Sequence, residues 1–411
     1  MARIQVETEP GDVGLDAERL ARIDRHFARY VDDGRLPGWL IAVSRRGRLA
    51  HVSAYGRRDV ESGAPVTEET LFRIYSMTKP ITSVAAMILY EEGAFELKDP
   101  VSRFIPSFAD MRVYRGGPPH APVTEPATEP VRIWHLLTHT SGLTYGFHHQ
   151  HPVDAIYRAA GFEWGAPTGA DLAECCDRWA ALPLLFQPGR GWNYSISTDV
   201  LGRVVEVASG QSLDRFLRER VFEPLGMRDT SFGTPPGDLH RLAALYTTHP
   251  GTPSLMRFDV MGEAARTVPQ FLSGGGGLVS SALDYHRFTQ MLLRGGELDG
   301  ARVLGPRTVA YMGQNHLPGG RDLEAMGQST FAESSFEGVG FGLGFAVVLD
   351  AAGNRVLSSP GEMAWGGAAS TAFWVDRREE LTALFFTQLL PSSTYPIRSQ
   401  LRQLVYQAVV D

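Results

Sequence analysis

A serine and a lysine three positions apart, Ser76 and Lys79, are the residues with the clearest potential for chemistry. A serine hydroxyl needs a base to act as a nucleophile near neutral pH, and a lysine amine is such a base where burial or neighbouring cations keep it neutral. Residues three apart share one face of a helix, so the amine would reach the hydroxyl. The pair predicts an acyl-transfer nucleophile, although the spacing alone also fits an ordinary helix start.

Pro80 follows the lysine and affects where the helix begins. Proline favours the first turn of a helix and disfavours helical geometry in the residue before it. These preferences predict a helix that starts near Lys79 and continues through the apolar segment 81–92. Whether Lys79 reaches Ser76 therefore depends on the turn that precedes the helix.

Strand patterns lie near the two ends of the chain, and helical patterns fill its middle. Strands are expected over 40–44, 51–55, 340–350, 371–375 and 381–387, helices over 14–34, 133–137, 171–182, 197–209, 212–221 and from Pro396, and a Pro-rich surface loop over 115–130.

This order of elements indicates an α+β fold in which strands from both ends meet and a mostly helical lobe is inserted between them. We predict a sheet domain from residues 1–105 and 270–411 and a mostly helical domain from residues 106–269. A substrate cleft would then lie between the two, and we expect the loops 111–130, 145–169 and 313–337 to border it.

Two further motifs accompany the serine and the lysine. One is GRGWNYS at 189–195, which contains Tyr194, and the other is WGGA at 365–368. With these motifs the chain resembles the superfamily of serine β-lactamases and penicillin-binding proteins, in particular the class C-like branch that contains family VIII carboxylesterases and related acyltransferases. The segments 134–143, 223–227 and 274–281 also match, so that the resemblance spans roughly residues 15 to 405. It implies an antiparallel β-sheet flanked by helices, with the active site in the cleft beside the helical lobe.

The resemblance also implies a role for each motif. Ser76 would be the acylated nucleophile, Lys79 its base partner and Tyr194 the phenol that passes protons to the leaving group. A phenol is a base near neutral pH only where a cation lowers its pKa, and Lys79 would be that cation. The backbone N–H groups of Ser76 and Ala368, the latter on a presumed edge strand, would form the oxyanion hole. The residues expected to contact substrate are Trp365, Gly366, Gly367, Phe147 and Trp164.

The chain departs from the β-lactamase pattern at two motifs. Those enzymes carry Tyr-x-Asn where this chain has YSI at 194–196, and Lys-Thr-Gly or a close variant where it has WGG at 365–367. The missing amide and the missing cation would otherwise hold a lactam side chain and a substrate carboxylate. The departures favour neutral, fairly apolar acyl esters over penicillins, with weak β-lactamase activity still conceivable.

Several histidines have the spacing of metal ligands. His135 and His139 stand four residues apart, as in a zinc-binding helix, but Leu136 occupies the position where that motif carries a glutamate. The histidines within 148–151 form a loop cluster that we interpret as ordinary loop residues. We therefore predict neither a metal nor another cofactor.

Composition argues against several other classes of protein. The 411 residues contain 39 Lys plus Arg and 46 Asp plus Glu, a net charge of -7 without a basic block, which argues against nucleic acid. The first residues lack a signal sequence, and no apolar run approaches the length of about 18 residues that spans a membrane. The only cysteines, Cys175 and Cys176, are adjacent and cannot join distant segments by a disulfide, so we interpret them as buried free thiols. We predict a cytoplasmic protein with no membrane partner.

Three functions stay open on the sequence alone. The first is a serine carboxylesterase that hydrolyses small-molecule substrates, neutral short-chain acyl esters, through a Ser76 acyl-enzyme. The second is an acyltransferase to an alcohol or amine, with weak β-lactamase or D-aminopeptidase activity as a further enzymatic option. The third is a non-enzymatic sensor or scaffold, whose sign would be the loss of Lys79 or Tyr194. The oligomeric state is also open.

Overall fold

Strands occur in two groups along the chain. In a computed structural model, residues 3–249, 251–252, 254–327 and 335–411 are described. The strands are β1 (Gly38–Arg45), β2 (Arg48–Asp59), β3 (Ala64–Pro65), β4 (Leu71–Arg73), β5 (Arg112–Gly116), β6 (Val123–Pro126), β7 (Tyr246–Thr248), β8 (Leu255–Arg257), β9 (Val279–Ser281), β10 (Glu297–Leu298), β11 (Ala301–Arg302), β12 (Val339–Phe341), β13 (Ala346–Val348), β14 (Met363–Gly366), β15 (Ala372–Asp376), β16 (Leu381–Phe386) and β17 (Leu389–Leu390).

Helices lie at both ends of the chain and between the strand groups. They are α1 (Ala17–Asp32), α2 (Thr78–Glu91), α3 (Ile133–Leu137), α4 (Pro152–Ala159), α5 (Leu172–Ala180), α6 (Ser197–Ser209), α7 (Leu213–Leu217), α8 (Glu223–Leu225), α9 (Asp259–Gly262), α10 (Ala282–Leu293), α11 (Pro306–Met312), α12 (Leu323–Met326), α13 (Ala351–Asn354) and α14 (Ile397–Tyr406). Within the described ranges, none of them has both the length and the apolar character needed to cross a membrane.

Eight strands form one antiparallel sheet in the order β12-β13-β14-β15-β16-β1-β2-β3. The hairpin of β1 and β2, which contains two of the strands expected from the sequence, turns at Arg46 and Gly47. Both residues have positive φ angles, 52° and 75°. Two successive residues of this kind form the type I′ turn that suits the twist of paired strands.

Both faces of the sheet are buried. In β1, Trp39, Ile41 and Val43 pack into one apolar cluster, whereas Leu40 and Ala42 pack into another. This division follows from the alternation of side chains along a strand. Helices α1 and α14 cover the first face, and α2 and α10 cover the second. The predicted α+β fold with an antiparallel sheet flanked by helices is therefore observed.

The middle of the chain is mostly helical, since α3 to α9 all lie within residues 133–262. Strands are also present there, and β7 pairs in parallel with β17 near the other end of the chain. The predicted domain boundaries after residues 105 and 269 stay a prediction.

Three segments differ from their predicted structure. Residues 340–350 form the two strands β12 and β13 instead of one, because the chain turns at Gly344, where φ is 96°. The Pro-rich segment 115–130 contributes to the hairpin of β5 and β6. Strand β14 is not an edge strand, because the hairpin of β12 and β13 extends the sheet beyond it. Only Met363 and Ala364 of β14 pair with β13, so the end of β14 is still open on that side.

Gly56 and Gly38 face each other in the pair of β1 and β2. Gly56 has a φ of 83°, and a Cβ atom there would lie 2.7 Å from the Cα atom of Gly38. We expect Gly56→Ala to lower the free energy of unfolding by about 2–4 kcal/mol, because backbone strain and a backbone clash add. Urea denaturation measures this loss.

Gly34→Ala is the matched control. Gly34 also has a positive φ, 74°, but a Cβ atom there would meet no atom within 4 Å. Only the backbone strain of a positive φ angle remains, so we expect the free energy of unfolding to fall by about 1 kcal/mol. Equal losses in the two variants would contradict the clash at Gly56.

Candidate active site

Ser76 lies in a single 3₁₀ turn, Tyr75–Met77, that leads directly into α2. Tyr75 has a φ of 42°, a left-handed conformation that is strained for a bulky residue. The carbonyl of Met77 accepts a hydrogen bond from the Tyr285 hydroxyl at 2.9 Å, which holds the turn from the side of α10. The strained turn leaves Ser76 only partly buried at the start of the helix.

Lys79 is the second residue of α2, and only 2% of its surface is exposed. Its Nζ atom lies 3.3 Å from Oγ of Ser76. Pro80 occupies the third helical position, where a backbone N–H would have no acceptor within the helix. The helix thus starts one residue before Lys79, close to the predicted point, and the 3₁₀ turn brings Ser76 within reach of the lysine.

The Lys79 ammonium has two further hydrogen-bond acceptors. It donates to the carbonyl oxygen of Gly275 at 2.7 Å and to the hydroxyl of Tyr145 at 3.1 Å. With Ser76, Nζ of Lys79 has three partners, which match the three N–H donors of an ammonium; in the neutral amine, the lone pair instead accepts from the Ser76 hydroxyl. These contacts hold the amine of Lys79 in one position beside Ser76.

Tyr194 packs its ring against Lys79, with 4.5 Å between Nζ and the ring centroid. Its hydroxyl accepts a hydrogen bond from the indole N–H of Trp365 at 3.4 Å, and its backbone carbonyl lies 2.7 Å from Nε2 of His148. Among the described residues, no hydrogen bond joins the Tyr194 hydroxyl to Ser76 or Lys79. The structure brings Tyr194 to the Ser76–Lys79 pair through a cation–π contact.

Tyr145 is a site residue that the sequence analysis did not identify. Burial raises the pKa of its phenol well above the ordinary value, and the neighbouring Asp199 and Tyr194 add to that rise. Tyr145 is therefore a neutral hydrogen-bond partner of Lys79 at pH 7. The nearest signal in the sequence is the matched segment 134–143, which ends two residues earlier.

The third motif ends β14 beside the nucleophile. A Cβ atom on Gly367 would lie 2.4 Å from the carbonyl oxygen of Ile74, so the motif packs against the chain just before Ser76. Arg398 on α14 donates to the carbonyl of Gly367 at 3.1 Å and anchors the motif. Ala368 follows in an exposed turn, and its N–H group donates to none of the described residues. An uncommitted amide beside the nucleophile is suited to an oxyanion hole, and that role stays a prediction.

A cavity of about 1180 Å³ with mainly apolar walls opens at Ser76. Of the predicted site residues, Lys79 is buried behind this wall and the others line it: Ser76, Phe147, Trp164, Tyr194, Trp365, Gly366, Gly367 and Ala368.

One wall of the cavity is a stack of three aromatic rings. The centroids of Tyr145 and Phe147 lie 4.6 Å apart, and those of Phe147 and Trp164 lie 5.7 Å apart. The outermost ring, Trp164, is 63% exposed. The stack leads from the hydrogen-bond partner of Lys79 to the surface and offers an apolar face to a bound molecule.

Three loops were expected to border the cleft. The segment 145–169 borders the cavity, whereas the segment 111–130 does not, and residues from 258–271 line it in addition. The expected border at 313–337 lies partly outside the described residues, and its described part contributes residues 335–336.

The two histidines with zinc-like spacing have structural partners. Burial, together with the charge of Arg132, lowers the pKa of His135 to about 3, and its Nδ1 accepts from the Arg132 backbone at 3.0 Å. Burial lowers the pKa of His139 well below its ordinary value, and its Nδ1 lies 3.2 Å from Oγ of Ser195. No group of three or more His, Cys, Asp or Glu side chains in the described part of the chain is arranged to hold a metal ion.

Comparison with known proteins identifies the family to which this site belongs. The profile of the family described as Beta-lactamase matches residues 23–407. The chain belongs to the beta-lactamase family. Esterase EstB of Burkholderia gladioli is 34% identical over 418 residues, which cover 97% of this chain and 98% of EstB.

Two solved structures are similar to this member of the beta-lactamase family. EstCE1, a hydrolase with promiscuous acyltransferase activity, gives a TM-score of 0.80 at 28% identity and covers 95% of this chain and 99% of its own. Simvastatin synthase (LovD) of Aspergillus terreus gives 0.81 at 25% identity, with coverage of 95% and 98%. The predicted family resemblance and fold are confirmed, and these relatives support an esterase or acyltransferase of the beta-lactamase fold.

The departures from the β-lactamase motifs have structural consequences in this family member. Ile196 stands where the β-lactamases carry the asparagine, and it lines the cavity with an apolar side chain in place of the amide. Trp365 stands where the β-lactamases carry a lysine, and it directs its N–H group to Tyr194. The cleft therefore has an aromatic wall at the position where a cation would bind a substrate carboxylate.

Proposed function

We propose that the protein is a serine carboxylesterase, similar to family VIII enzymes, that hydrolyses neutral, short-chain acyl esters through an acyl-enzyme on Ser76. The observation that carries this proposal is the distance of 3.3 Å between Nζ of Lys79 and Oγ of Ser76, at the wall of a mainly apolar cavity. The similarity to EstB and EstCE1 supports it.

The acylation step begins with neutral Lys79. The Ser76 oxygen attacks the ester carbonyl carbon as its proton passes to Lys79. The negative charge on the former carbonyl oxygen is held by the N–H groups of Ser76 and Ala368. The C–O bond to the alcohol then breaks, and Tyr194 passes a proton from Lys79 to the departing oxygen.

Deacylation repeats these steps with water as the nucleophile. Water loses a proton through Tyr194 to Lys79 and attacks the acyl carbon. When the tetrahedral intermediate collapses, the bond to Ser76 breaks and the serine oxygen takes the proton back from Lys79, which becomes neutral again. The products are a carboxylic acid and an alcohol, and the enzyme returns to its starting state.

The cavity favours uncharged substrates with a sizeable apolar part. Its volume of about 1180 Å³ is above the range of roughly 300–1000 Å³ that is typical of small-molecule pockets. Phe147, Trp164 and Trp365 line it with aromatic faces. A short acyl group on Ser76 thus leaves room for a bulky alcohol part.

The unfilled part of the cavity beside the acyl group also favours a second function, acyl transfer. An alcohol or amine that enters the cavity in place of water attacks the same acyl-enzyme, so that hydrolysis and transfer use the same residues. The promiscuous acyltransferase activity of EstCE1 supports this alternative.

A substrate panel tests the proposal. The protein is assayed with p-nitrophenyl butanoate, a chromogenic cephalosporin and a D-alanine anilide, and we expect kcat/KM for the ester to be greater by on the order of 10²-fold. A faster reaction with the cephalosporin or the anilide would overturn the esterase assignment. Stable acyl-protein in intact-mass spectra without product would indicate a sensor. Ester formed from added methanol at the expense of hydrolysis would indicate a transferase.

A further inference from the structure

Asp199 is a buried carboxylate next to the site that the mechanism above does not use. It is the third residue of α6, and 2% of its surface is exposed. Burial of a charge is costly unless hydrogen bonds and an opposite charge compensate for it. The position of Asp199 therefore requires a physical explanation.

The carboxylate of Asp199 is bound to a turn that also binds the catalytic lysine. Its Oδ1 atom accepts from the hydroxyl of Ser273 at 2.6 Å and from the backbone N–H of Gly275 at 3.0 Å. The carbonyl of the same Gly275 accepts from Nζ of Lys79 at 2.7 Å. A single residue thus connects the two charged groups.

Within the run of glycines at 274–277, Gly275 fits closely against this carboxylate. A Cβ atom on Gly275 would lie 2.6 Å from Oδ2 of Asp199, so any side chain there would push the turn away from the carboxylate. The neighbouring Gly274 accepts a hydrogen bond from Thr82 of α2 at 2.8 Å. The turn is therefore held between α2 and α6, with Lys79 on one side and Asp199 on the other.

We propose that Asp199 is a positioning residue for Lys79, which fixes the lysine through Gly275 and supplies the buried negative charge that faces its ammonium form. The proposal rests on the proposed function, in which Lys79 gains and loses a proton. An anion close to Lys79 favours the protonated form, so Asp199 would set the pH at which the catalytic base becomes available.

The other titratable groups near the pair do not supply this charge. They lie on the loops and helices packed around it: Tyr145, Tyr194, His139, His148, Cys175 and Cys176. Burial lowers the pKa of both histidines and raises the pKa of Tyr145 and of both cysteines, so that these groups are neutral at pH 7. Burial raises the pKa of Asp199 above its ordinary value, while the charge of Lys79 and the hydrogen bonds from Ser273 and Gly275 favour the carboxylate form and limit that rise.

Asp199→Asn separates charge from position. Both hydrogen bonds end on Oδ1, and an amide oxygen at that place accepts both, so the turn keeps its partners while the charge is lost. We expect the acidic limb of the pH profile of kcat/KM for p-nitrophenyl butanoate to move about one unit to lower pH. Asp199→Ala removes the hydrogen bonds as well as the charge, and we expect the same shift of the limb together with a fall of about 10- to 100-fold in the plateau value of kcat and little change in KM.

Asp284→Asn is the control for the loss of a buried carboxylate. Asp284 on α10 is 2% exposed, and its Oδ2 also accepts one backbone N–H and one hydroxyl, from Asp229 at 2.7 Å and Thr230 at 2.8 Å. We expect this variant to keep the wild-type pH profile. The proposal would be overturned if the acidic limb of the kcat/KM profile in Asp199→Asn stayed in place or moved to higher pH. It would also be overturned if Asp284→Asn moved that limb to lower pH by the same amount.

The outcome can be distinguished from a failure of the esterase assignment. If Ser76→Ala retains turnover, the proposed function fails. If Ser76→Ala is inactive and the acidic limb of the kcat/KM profile of Asp199→Asn stays at the wild-type pH, only the proposed role of Asp199 is wrong. The decision rests on the isosteric Asp199→Asn, whose folding is checked by urea denaturation, so that a poorly folded Asp199→Ala does not affect it.

Discussion

Ser76→Ala is expected to lower kcat for p-nitrophenyl butanoate by on the order of 10⁴-fold or more while the protein stays folded. The variant lacks the oxygen that forms the acyl bond, and Lys79 loses the group from which it takes a proton. Any residual rate would come from binding and from the N–H groups at Ser76 and Ala368. Because Ser76 is only partly buried, we expect its loss to change the free energy of unfolding by less than about 1 kcal/mol.

Ser83→Ala, on the helix α2 that follows the turn of Ser76, is the control for Ser76→Ala. Ser83 is 1% exposed, and its hydroxyl has no hydrogen-bond partner among the described residues. We expect this variant to keep kcat within about twofold of wild type, as is usual for a change away from the reacting atoms. Steady-state kinetics and intact-mass detection of the acyl-enzyme measure both variants. Turnover by Ser76→Ala above about one hundredth of wild type would rule out a Ser76 acyl-enzyme as the main route.

The local elements of this fold are well predicted because each has its own signal in the sequence. Helix α6 runs from Ser197 to Ser209, as its apolar spacing predicts, and Gly210 ends it in the left-handed conformation. The hairpin of β1 and β2 follows from two apolar runs with a two-residue turn. The sequence predicts a single strand over 340–350, because the apolar run is continuous through the position of the turn at Gly344.

The contacts that complete the site were less predictable, since they join distant parts of the chain. Ser76 and Lys79 are three residues apart, so their spacing predicts a contact if the turn before α2 places the serine on the same face as the lysine, which it does. Tyr145 is 66 residues from Lys79, and Gly275 is 196 residues away. No local pattern relates such positions, and only the packing of α2 against the loop at 145 and the turn at 275 brings them together.

Two phenols contact Lys79, and the proposed mechanism assigns the proton transfer to Tyr194. We expect Tyr194→Phe to lower kcat by about 10³-fold with little change in KM, which is within the usual range for the loss of a general acid–base group. The phenylalanine ring keeps the contact with Lys79, whose Nζ lies 4.5 Å from the ring centroid, so the loss reports on the hydroxyl. Steady-state kinetics with p-nitrophenyl butanoate measure the effect.

Tyr145→Phe is the comparison that decides between the two phenols. Burial and the neighbouring Asp199 raise the pKa of Tyr145 well above its ordinary value, so its hydroxyl stays protonated and serves to orient the lysine. Loss of that hydrogen bond leaves Lys79 with its acceptors at Ser76 and Gly275, and we expect kcat to fall by only about tenfold. A larger loss in Tyr145→Phe than in Tyr194→Phe would transfer the proton-passing role to Tyr145. In that case the direct hydrogen bond to Lys79, and not the position beside Trp365, would determine which phenol takes part in catalysis.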